Sequence, residues 1–269
     1  MGRIIPNWAI GLKRENHYVE AFKSFRNQCL LDDVWDISYN YLQSHFYKNA
    51  NILEIGAGFG DSLKIVKKHK CEIVNYLAID HHSGMVSQFS QQMVTSQFVN
   101  IKYIQEDVRN WIFSEKNGYD IILCIHSLYR LWSEKSFMLK LINLLNENGI
   151  LFCLHSSESS PWMSISKLIW HKDKDVNLAP MLTNSFQNIK ILSLDSYVNV
   201  SNLLVNRGIL TRSEVMFLLW LHPQGYEITQ ESVQNLIEVI DRINIKGYII
   251  DSLIIESYIN IQIPLINLE

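Results

Sequence analysis

The segment Ile52-Leu53-Glu54-Ile55-Gly56-Ala57-Gly58-Phe59-Gly60-Asp61 holds three glycines within five residues. The whole chain of 269 residues has only 11 glycines. An apolar run that ends in glycines predicts a strand that turns directly into a helix. Because glycine has no Cβ, such a turn lets the backbone approach a ligand closely. We therefore expect this turn at the carboxyl edge of an open α/β sheet, where ligands bind.

The spacing of the glycines limits the kind of ligand. It is Gly-x-Gly-x-Gly, whereas dinucleotide-binding turns have Gly-x-Gly-x-x-Gly, and Asp61 occupies the place of their third glycine. No Lys-Ser or Lys-Thr pair follows, so the turn is not a phosphate-binding P-loop. An acid just past the turn would repel a pyrophosphate. The sequence favours a ligand that lacks one.

Strands and helices alternate around this turn, which predicts a Rossmann-like α/β fold with a mostly parallel sheet and helices on both faces. The predicted strands are 51–55, 72–80, 101–105, 119–126 and 150–155, and the helices between them are 61–69, 84–98 and 133–146, the last ended by a left-handed Gly149. Two helices precede them, at 17–29 and 32–46. Beyond residue 156 the pattern predicts helices near 161–172, 213–221 and 230–243 and strands at 189–194 and 248–261. We expect one domain, with N-terminal helices in 1–48, the core in 49–156 and insertions and C-terminal strands in 157–269.

Composition excludes several classes of protein. Hydrophobic residues make up 48% of the chain and charged residues 19%, which is typical of a folded core rather than of disorder. The net charge of -3 argues against a general nucleic-acid binder. No apolar run is long enough to span a membrane, and the N-terminal residues do not form a signal peptide. The four cysteines are widely spaced, and Cys71, Cys124 and Cys153 lie in or beside strand-like apolar runs. This pattern indicates reduced core thiols, so we expect a cytoplasmic protein.

Acidic residues follow the next two predicted strands. Asp80 ends the second strand, where its carboxylate can accept hydrogen bonds from a ribose hydroxyl pair. Asp107 follows the third strand, where it can accept a hydrogen bond from an adenine amino group. Either acid alone is an ordinary loop residue. Together with the glycine turn they predict a site for a nucleoside with ribose and adenine but no pyrophosphate.

This combination resembles the S-adenosylmethionine (SAM)-dependent methyltransferases, whose first motif is similar to Glu54–Gly60. The resemblance implies SAM as the cofactor. The residues that it places at the cofactor are Glu54, Gly56, Ala57, Gly58, Gly60, Asp80, His81, Asp107, Val108 and His126.

Three further segments resemble the histamine N-methyltransferase family. They are His17–Asn27, Ile125–Tyr129 and the serine-rich run His155–Trp162. The resemblance implies that the N-terminal helices and the helical insertions form a substrate lid. The acceptor pocket that it implies comprises Tyr18, Phe22, Phe25, Tyr129, Arg130 and Trp162. The alternative for the first three aromatic residues is a core-facing helix stripe, because they recur at helical spacing.

Two departures from that family change the expected polarity of the pocket. Leu31 aligns with the acid that holds a cationic acceptor, although Asp32 and Asp33 are close enough to restore it by a slipped alignment. Arg130 aligns with a pocket tyrosine. Because arginine binds carboxylates bidentately, the sequence favours an anionic acceptor, a carboxylate of a small molecule or of a peptide C-terminus. N-methylation of a small amine and a non-catalytic cofactor-binding role are the alternatives.

The expected chemistry is in-line methyl transfer, in which the enzyme mainly aligns the reacting atoms. A carboxylate is already ionised near neutral pH, whereas a protonated amine must first lose a proton. The predicted catalytic residues are His126, His155 and Arg130, of which the two histidines are the candidate bases. The repeated Cys-x-His spacing, 124–126 and 153–155, matches no common zinc pattern, so we expect no metal.

Overall fold

A computed structural model of the chain describes residues 3–45, 49–68, 75–94, 100–128, 135–157, 159–170, 189–206 and 208–259. The α-helices within these residues are α1 (Tyr18–Arg26), α2 (Asp32–Leu42), α3 (Leu63–Lys68), α4 (Ser83–Val94), α5 (Val108–Ser114), α6 (Lys135–Asn143), α7 (Pro161–Trp170), α8 (Ser201–Val205), α9 (Arg212–Leu221) and α10 (Gln230–Ile243). The strands are β1 (Cys29–Leu30), β2 (Asn51–Ile55), β3 (Asn75–Asp80), β4 (Ile101–Gln105), β5 (Tyr119–Ile125), β6 (Leu145–Ser156), β7 (Ile189–Asn199) and β8 (Tyr248–Ile259).

The described strands form a sheet in the order β1-β7-β8-β6-β5-β2-β3-β4. The run β6-β5-β2-β3-β4 is parallel throughout, and β1 pairs antiparallel with β7. In this run each strand is joined to its sequence successor through a helix, as parallel pairing requires. The predicted α/β fold with a mostly parallel sheet is confirmed. No described helix is long and apolar enough to cross a membrane.

Most predicted helices and strands are observed, with several corrections. The helix predicted at 17–29 ends at Arg26, Cys29 belongs to β1, and β7 continues beyond the predicted 189–194 to Asn199. Helices α5 and α8 were not predicted, and the start of β6 also differs. Helix α6 ends at Asn143 and β6 begins at Leu145, which pairs with Tyr119 before the register shifts to Ile121↔Ile150. The left-handed residue in this bulge is Asn148, with φ 61°, so the prediction of a left-handed Gly149 was wrong. A Cβ on Gly149 would lie 2.9 Å from the carbonyl oxygens of Asn146 and Tyr119, so close packing is what requires the glycine. Several predicted ends fall outside the described residues: 46, 69, 72–74, 95–98, 133, 171–172 and 260–261.

The chain divides into two compact units, each assembled from three separated segments. Unit 1 comprises Met1–Leu31, Ser156–Asp175 and Asp195–Leu253. Unit 2 comprises Asp32–His155, Val176–Leu194 and Ile254–Glu269.

Unit 2 contains the glycine turn and a core on one face of the parallel strands. Its buried members come from alternate positions of β2, β5 and β6 and from helices α5 and α6. They include Leu53, Ile55, Ile122, Cys124, Leu151, Cys153, Trp111, Ile112, Phe137 and Leu141. This face of the strands is apolar because it is covered by helices.

Unit 1 has a core of its own, formed by helices α1, α9 and α10 and the residues around them. Val215–Leu219 of α9 and Val233, Leu236 and Ile240 of α10 are buried in it. Helices α9 and α10 both begin with capping boxes, at Thr211 and Thr229. These caps satisfy backbone N–H groups that would otherwise lack partners at the helix starts.

Candidate functional site

The glycine turn connects β2 to α3 in unit 2. Gly56, Gly58 and Gly60 all have positive φ, at 70°, 51° and 80°. Residues with a Cβ rarely adopt this conformation, because the Cβ comes too close to the following carbonyl oxygen. The backbone N–H groups of Gly56 and Ala57 donate to the carbonyl of Ile79 at 2.8 and 3.1 Å, which joins the turn to the end of β3. The sequence prediction of an unusual backbone here is confirmed.

Gly56 also lies against Ser127, which follows the end of β5. A Cβ on Gly56 would lie 2.4 Å from the Cβ of Ser127, so no other residue fits without displacing the backbone. The Oγ of Ser127 is buried and has no hydrogen-bond partner among the described residues. A buried hydroxyl without a partner is costly, and a bound polar ligand would satisfy it.

Asp80 connects the end of β3 to the glycine turn. Its Oδ2 accepts a hydrogen bond from the backbone N–H of Gly58 at 2.9 Å, and its Oδ1 accepts one from that of His82 at 2.9 Å. The side chain is 11% exposed. Because each carboxylate oxygen has two lone pairs, Asp80 keeps acceptor capacity for a diol. Nδ1 of the largely exposed His81 lies 3.7 Å from Oδ1.

Asp107 follows β4 and caps helix α5. Its Oδ1 accepts from the backbone N–H of Arg109 at 2.9 Å, and the guanidinium of Arg109 also donates to the carboxylate. These hydrogen bonds from Arg109 hold the pKa of Asp107 below its usual value. The cap explains why an acid is found here even without a ligand. Val108, the first residue of α5, packs against the core of unit 2.

Glu54 lies beneath the glycine turn, on the face of β2 opposite Leu53 and Ile55. It is 2% exposed, and its two oxygens accept hydrogen bonds from the hydroxyl groups of Ser62 and Tyr76. The carboxyl group therefore has internal partners, which the sequence alone did not indicate.

His126 follows β5 and has a positive φ of 50°. Its backbone N–H donates to the carbonyl of Leu154 at 2.7 Å, which ties the end of β5 to β6. A left-handed conformation at a residue other than glycine is strained and is common at functional sites. His126 directly precedes Ser127, the residue that contacts Gly56.

His155, near the end of β6, faces a carboxylate that sequence reasoning missed. Its Nε2 lies 3.6 Å from Oε2 of Glu256 on β8, and both side chains are less than a tenth exposed. The hydroxyl of Tyr258 donates to the same Oε2 at 2.8 Å. The distance exceeds that of a hydrogen bond, so Glu256 is a close buried neighbour of the imidazole rather than its hydrogen-bond partner.

The two cysteines of the repeated Cys-x-His spacing are neighbours in the sheet, since Cys124 pairs with Cys153 in the register of β5 and β6. Both are buried, and burial together with the neighbouring Cys124 raises the pKa of the Cys153 thiol. Among the residues that the structure describes, no cluster of three or more His, Cys, Asp or Glu can hold a metal ion. Cys71 lies outside the described residues.

The aromatic residues predicted for the acceptor pocket lie in unit 1 and pack on one another. The ring of Phe25 stacks on Trp162 at 5.0 Å between centroids, and Tyr18 and Phe22 contact Trp220 at 5.2 and 4.9 Å. This packing accounts for the helical stripe without a ligand. Their role in acceptor binding stays a prediction. Tyr129 and Arg130 lie outside the described residues.

The structure also describes the three residues at the place where the histamine N-methyltransferase family has its cation-binding acid. Leu31 is buried at 8% exposure, whereas Asp32 and Asp33 are exposed at the start of α2. Carboxylates at a helix N-terminus are favoured by its dipole. The exposed acids therefore do not replace a buried carboxylate after α1.

The residues of unit 2 fit a nucleoside cofactor. Gly56 leaves a cradle that a Cβ would fill, Ser127 offers an unsatisfied hydroxyl, and Asp80 offers acceptor oxygens at the same edge. Of the predicted cofactor residues, the turn glycines, Asp80 and His126 lie at the carboxyl ends of β2, β3 and β5, and Gly58 contacts Asp80 directly. Ser127 was missed because only the contact across the sheet reveals it.

Comparison with known proteins identifies the kind of domain that contains the glycine turn. Residues 52–149 match a family model described as "Methyltransferase domain". No curated protein matches the chain significantly. The match to a methyltransferase domain confirms the predictions of a SAM-dependent methyltransferase and of SAM as its cofactor. It does not confirm the narrower resemblance to the histamine N-methyltransferase family.

Solved structures share the fold at low sequence identity. A putative methyltransferase from Bacillus halodurans C-125 is 12% identical with a TM-score of 0.54, over 82% of this chain and 97% of that one. The plantazolicin methyltransferase BamL, solved with a triazolic desmethylPZN analog and SAH, is 12% identical with a TM-score of 0.51, over 92% of this chain and 91% of that one.

Proposed function

On the premise that residues 52–149 form a methyltransferase domain, we propose that the chain transfers the methyl group of SAM to an anionic oxygen, a carboxylate of a small molecule or of a peptide C-terminus. The supporting observation is the polarity after helix α1. A buried leucine, Leu31, stands where a cation-binding family has an acid, and the nearby Asp32 and Asp33 are exposed.

The chain's own residues hold the cofactor in this proposal. The glycine turn lets the backbone lie against it, Asp80 accepts from its ribose hydroxyls, and Ser127 gains a partner beside Gly56. Asp107 accepts from the adenine amino group while it caps α5. When bound, SAM supplies an electrophilic methyl group on a sulfonium sulfur. The protein then has to orient an acceptor lone pair in line with that bond and exclude water.

A carboxylate acceptor needs no base, because it is ionised near neutral pH. It does need a positively charged partner that fixes its orientation. We assign this role to Arg130, whose guanidinium donates two parallel hydrogen bonds to a carboxylate.

The test is acceptor kinetics of Arg130 variants, measured as SAH formation with free acids, with peptides that have free or amidated C-termini, and with amines. Arg130→Ala should raise the KM for the carboxylate at least tenfold and leave the Kd for SAM unchanged. Arg130→Lys keeps the charge but loses the bidentate geometry, so its KM for the carboxylate should lie between those of wild type and Arg130→Ala. An unchanged KM in Arg130→Ala, or turnover of amidated peptides at the same rate, contradicts the carboxylate proposal.

N-methylation of a small amine is the second candidate, and the His155–Glu256 pair favours it. A protonated amine has no lone pair until it loses a proton. In this case we assign the removal of that proton to His155, whose Nε2 lies 3.6 Å from the carboxylate of Glu256.

The pH dependence of kcat/KM separates the two candidates. For a carboxylate acceptor, kcat/KM should be nearly flat between about pH 6 and pH 9, because this whole range lies well above the pKa of a carboxylate. For an amine acceptor it should rise with pH, and Glu256→Gln should lower kcat.

A further inference from the structure

Arg109 binds the carboxylate of Asp107, the group that the proposed function assigns to the adenine amino group. Its backbone N–H and its Nε donate to Oδ1 at 2.9 and 3.0 Å. Nε also donates to Oδ2 at 3.1 Å, and Nη2 donates to the same oxygen. Because the two oxygens of a carboxylate offer about four acceptor sites, Arg109 takes up most of the acceptor capacity of Asp107.

Asp80, at the end of the neighbouring strand β3, shows the contrast. Its Oδ2 accepts from the backbone N–H of Gly58 and its Oδ1 from that of His82. A ligand can add hydrogen bonds to this carboxylate without displacing a side chain, because both donors belong to the backbone. At Asp107 a ligand donor has to compete with the guanidinium of Arg109.

The guanidinium can leave Asp107 without disturbing helix α5. The hydrogen bond that caps the helix comes from the backbone N–H of Arg109, which does not depend on the side chain. The side chains of Arg109 and Asp107 are 54% and 34% exposed. An ion pair with this exposure is weak, so a ligand that donates to Asp107 can displace it.

The two side chains complement opposite groups on a purine. The carboxylate of Asp107 only accepts hydrogen bonds, so it suits the 6-amino group of adenine. The guanidinium of Arg109 only donates, so it suits a 6-oxo group. An amino group therefore requires the Asp107–Arg109 pair to open, whereas an oxo group does not.

We propose that Arg109 is a latch on the adenine acceptor, which opens when a 6-amino group binds and which sets how strictly the site distinguishes a 6-amino from a 6-oxo purine. The inference rests on the proposed role of Asp107 in binding SAM. The latch lowers the affinity for an adenine ligand, because the ion pair has to break. It does not lower the affinity for a 6-oxo ligand, which can accept from Arg109 while the pair persists.

Calorimetric titration with S-adenosylhomocysteine (SAH) and with S-inosylhomocysteine, its 6-oxo analogue, tests the proposal. SAH has no net charge near neutral pH, so the loss of a distant charge has little effect on its affinity. Arg109→Met keeps an unbranched apolar side chain and removes the donors. It should bind SAH about two- to fivefold more tightly than wild type, as expected when an exposed ion pair is removed. It should bind S-inosylhomocysteine no more tightly.

Arg212→Met is the matched control. Arg212 is also exposed and also donates from Nε and Nη2 to one carboxylate, that of Glu20, but it lies in unit 1. This variant should bind SAH as wild type does. The Asp107→Ser background is a second control, because it keeps a capping oxygen and removes the carboxylate. In that background Arg109→Met should no longer change the Kd for SAH.

The salt dependence of wild type gives a measurement that needs no variant. Salt screens an exposed ion pair, so wild type should bind SAH more tightly at about 0.5 M KCl than at about 0.05 M, whereas S-inosylhomocysteine should not gain affinity. Unchanged or weaker SAH binding in Arg109→Met, or equal tightening of both ligands, overturns the latch. If wild type binds neither SAM nor SAH, the proposed function fails instead.

Discussion

A Cβ atom on Gly56 would lie 2.4 Å from the Cβ of Ser127, closer than real Cβ contacts come. Gly56→Ala should therefore abolish measurable SAM binding and lower the free energy of unfolding by ~3 kcal/mol, since it combines a clash with an unfavourable φ of 70°. Chemical unfolding and SAM titration measure the two effects.

Gly225→Ala is the matched control for that change. Gly225 also has a positive φ, 86°, but a Cβ there would meet nothing within 4 Å. It should cost only ~1 kcal/mol and leave SAM affinity intact. If both variants lose the same stability, the contact with Ser127 is not what requires Gly56.

Asp107 has two separable roles, a helix cap and an adenine acceptor. Asp107→Ser keeps a capping oxygen and removes the carboxylate, whereas Asp107→Ala removes both. We expect the Ser variant to keep its stability and bind SAM about tenfold more weakly, and the Ala variant to lose ~1 kcal/mol as well. If Asp107→Ser binds SAM as tightly as wild type, Asp107 acts only as a helix cap and not as an adenine acceptor.

Asp80→Asn should weaken SAM binding by at least tenfold, because an amide presents one acceptor oxygen where the carboxylate presents two. That one oxygen cannot serve Gly58, His82 and a ribose together. Fluorescence or calorimetric titration gives the Kd. Lys64→Ala, near the same turn but paired with Asp61 on the surface, should bind normally. Equal affinities of the Asn variant and wild type would exclude Asp80 as a ribose ligand.

Asp251 on β8 makes stability depend on pH. It accepts hydrogen bonds from Ser156 and Ser160 at 3.0 and 2.9 Å, and burial raises its pKa from 3.8 to about 6. Because the folded state then binds more protons than the unfolded state between these values, the free energy of unfolding falls as pH rises from about 4 to 6. The contribution is at most ~3 kcal/mol.

Asp251→Asn should remove this slope, which urea unfolding at pH 4, 5, 6 and 7 would reveal. Asp195→Asn serves as the control, because Asp195 on β7 is exposed and accepts from Ser252, the neighbour of Asp251 on β8. If the slope persists in Asp251→Asn and disappears in Asp195→Asn, the pH dependence comes from Asp195 and not from Asp251.

The sequence predicted the parallel strands because buried parallel strands are continuous apolar runs, and it placed the turn because glycines concentrate there. It did not predict the pairing of His155 with Glu256, which is 101 positions later in the chain and joins it only through the order of the strands. An acid and a tyrosine two residues apart in the apolar run 253–259 were the available signal. Period two places both on one face.

The aromatic residues of α1 show the opposite limit. Helical spacing correctly gave Tyr18, Phe22 and Phe25 a shared face. The structure packs that face on Trp162 and Trp220. The acceptor-binding role that the resemblance implies for it stays a prediction. Periodicity identifies what a helix buries but not against which partner.

The segmented make-up of unit 1 has a consequence for synthesis on the ribosome. Glu20 of α1 is paired with Arg212 of α9, a partner 192 positions later in the chain. At ordinary elongation rates Arg212 is made roughly 10 to 40 s after Glu20. Throughout that interval the aromatic face of α1 has no α9 to cover it, so the nascent chain presents an apolar helix to chaperones before its native neighbour exists.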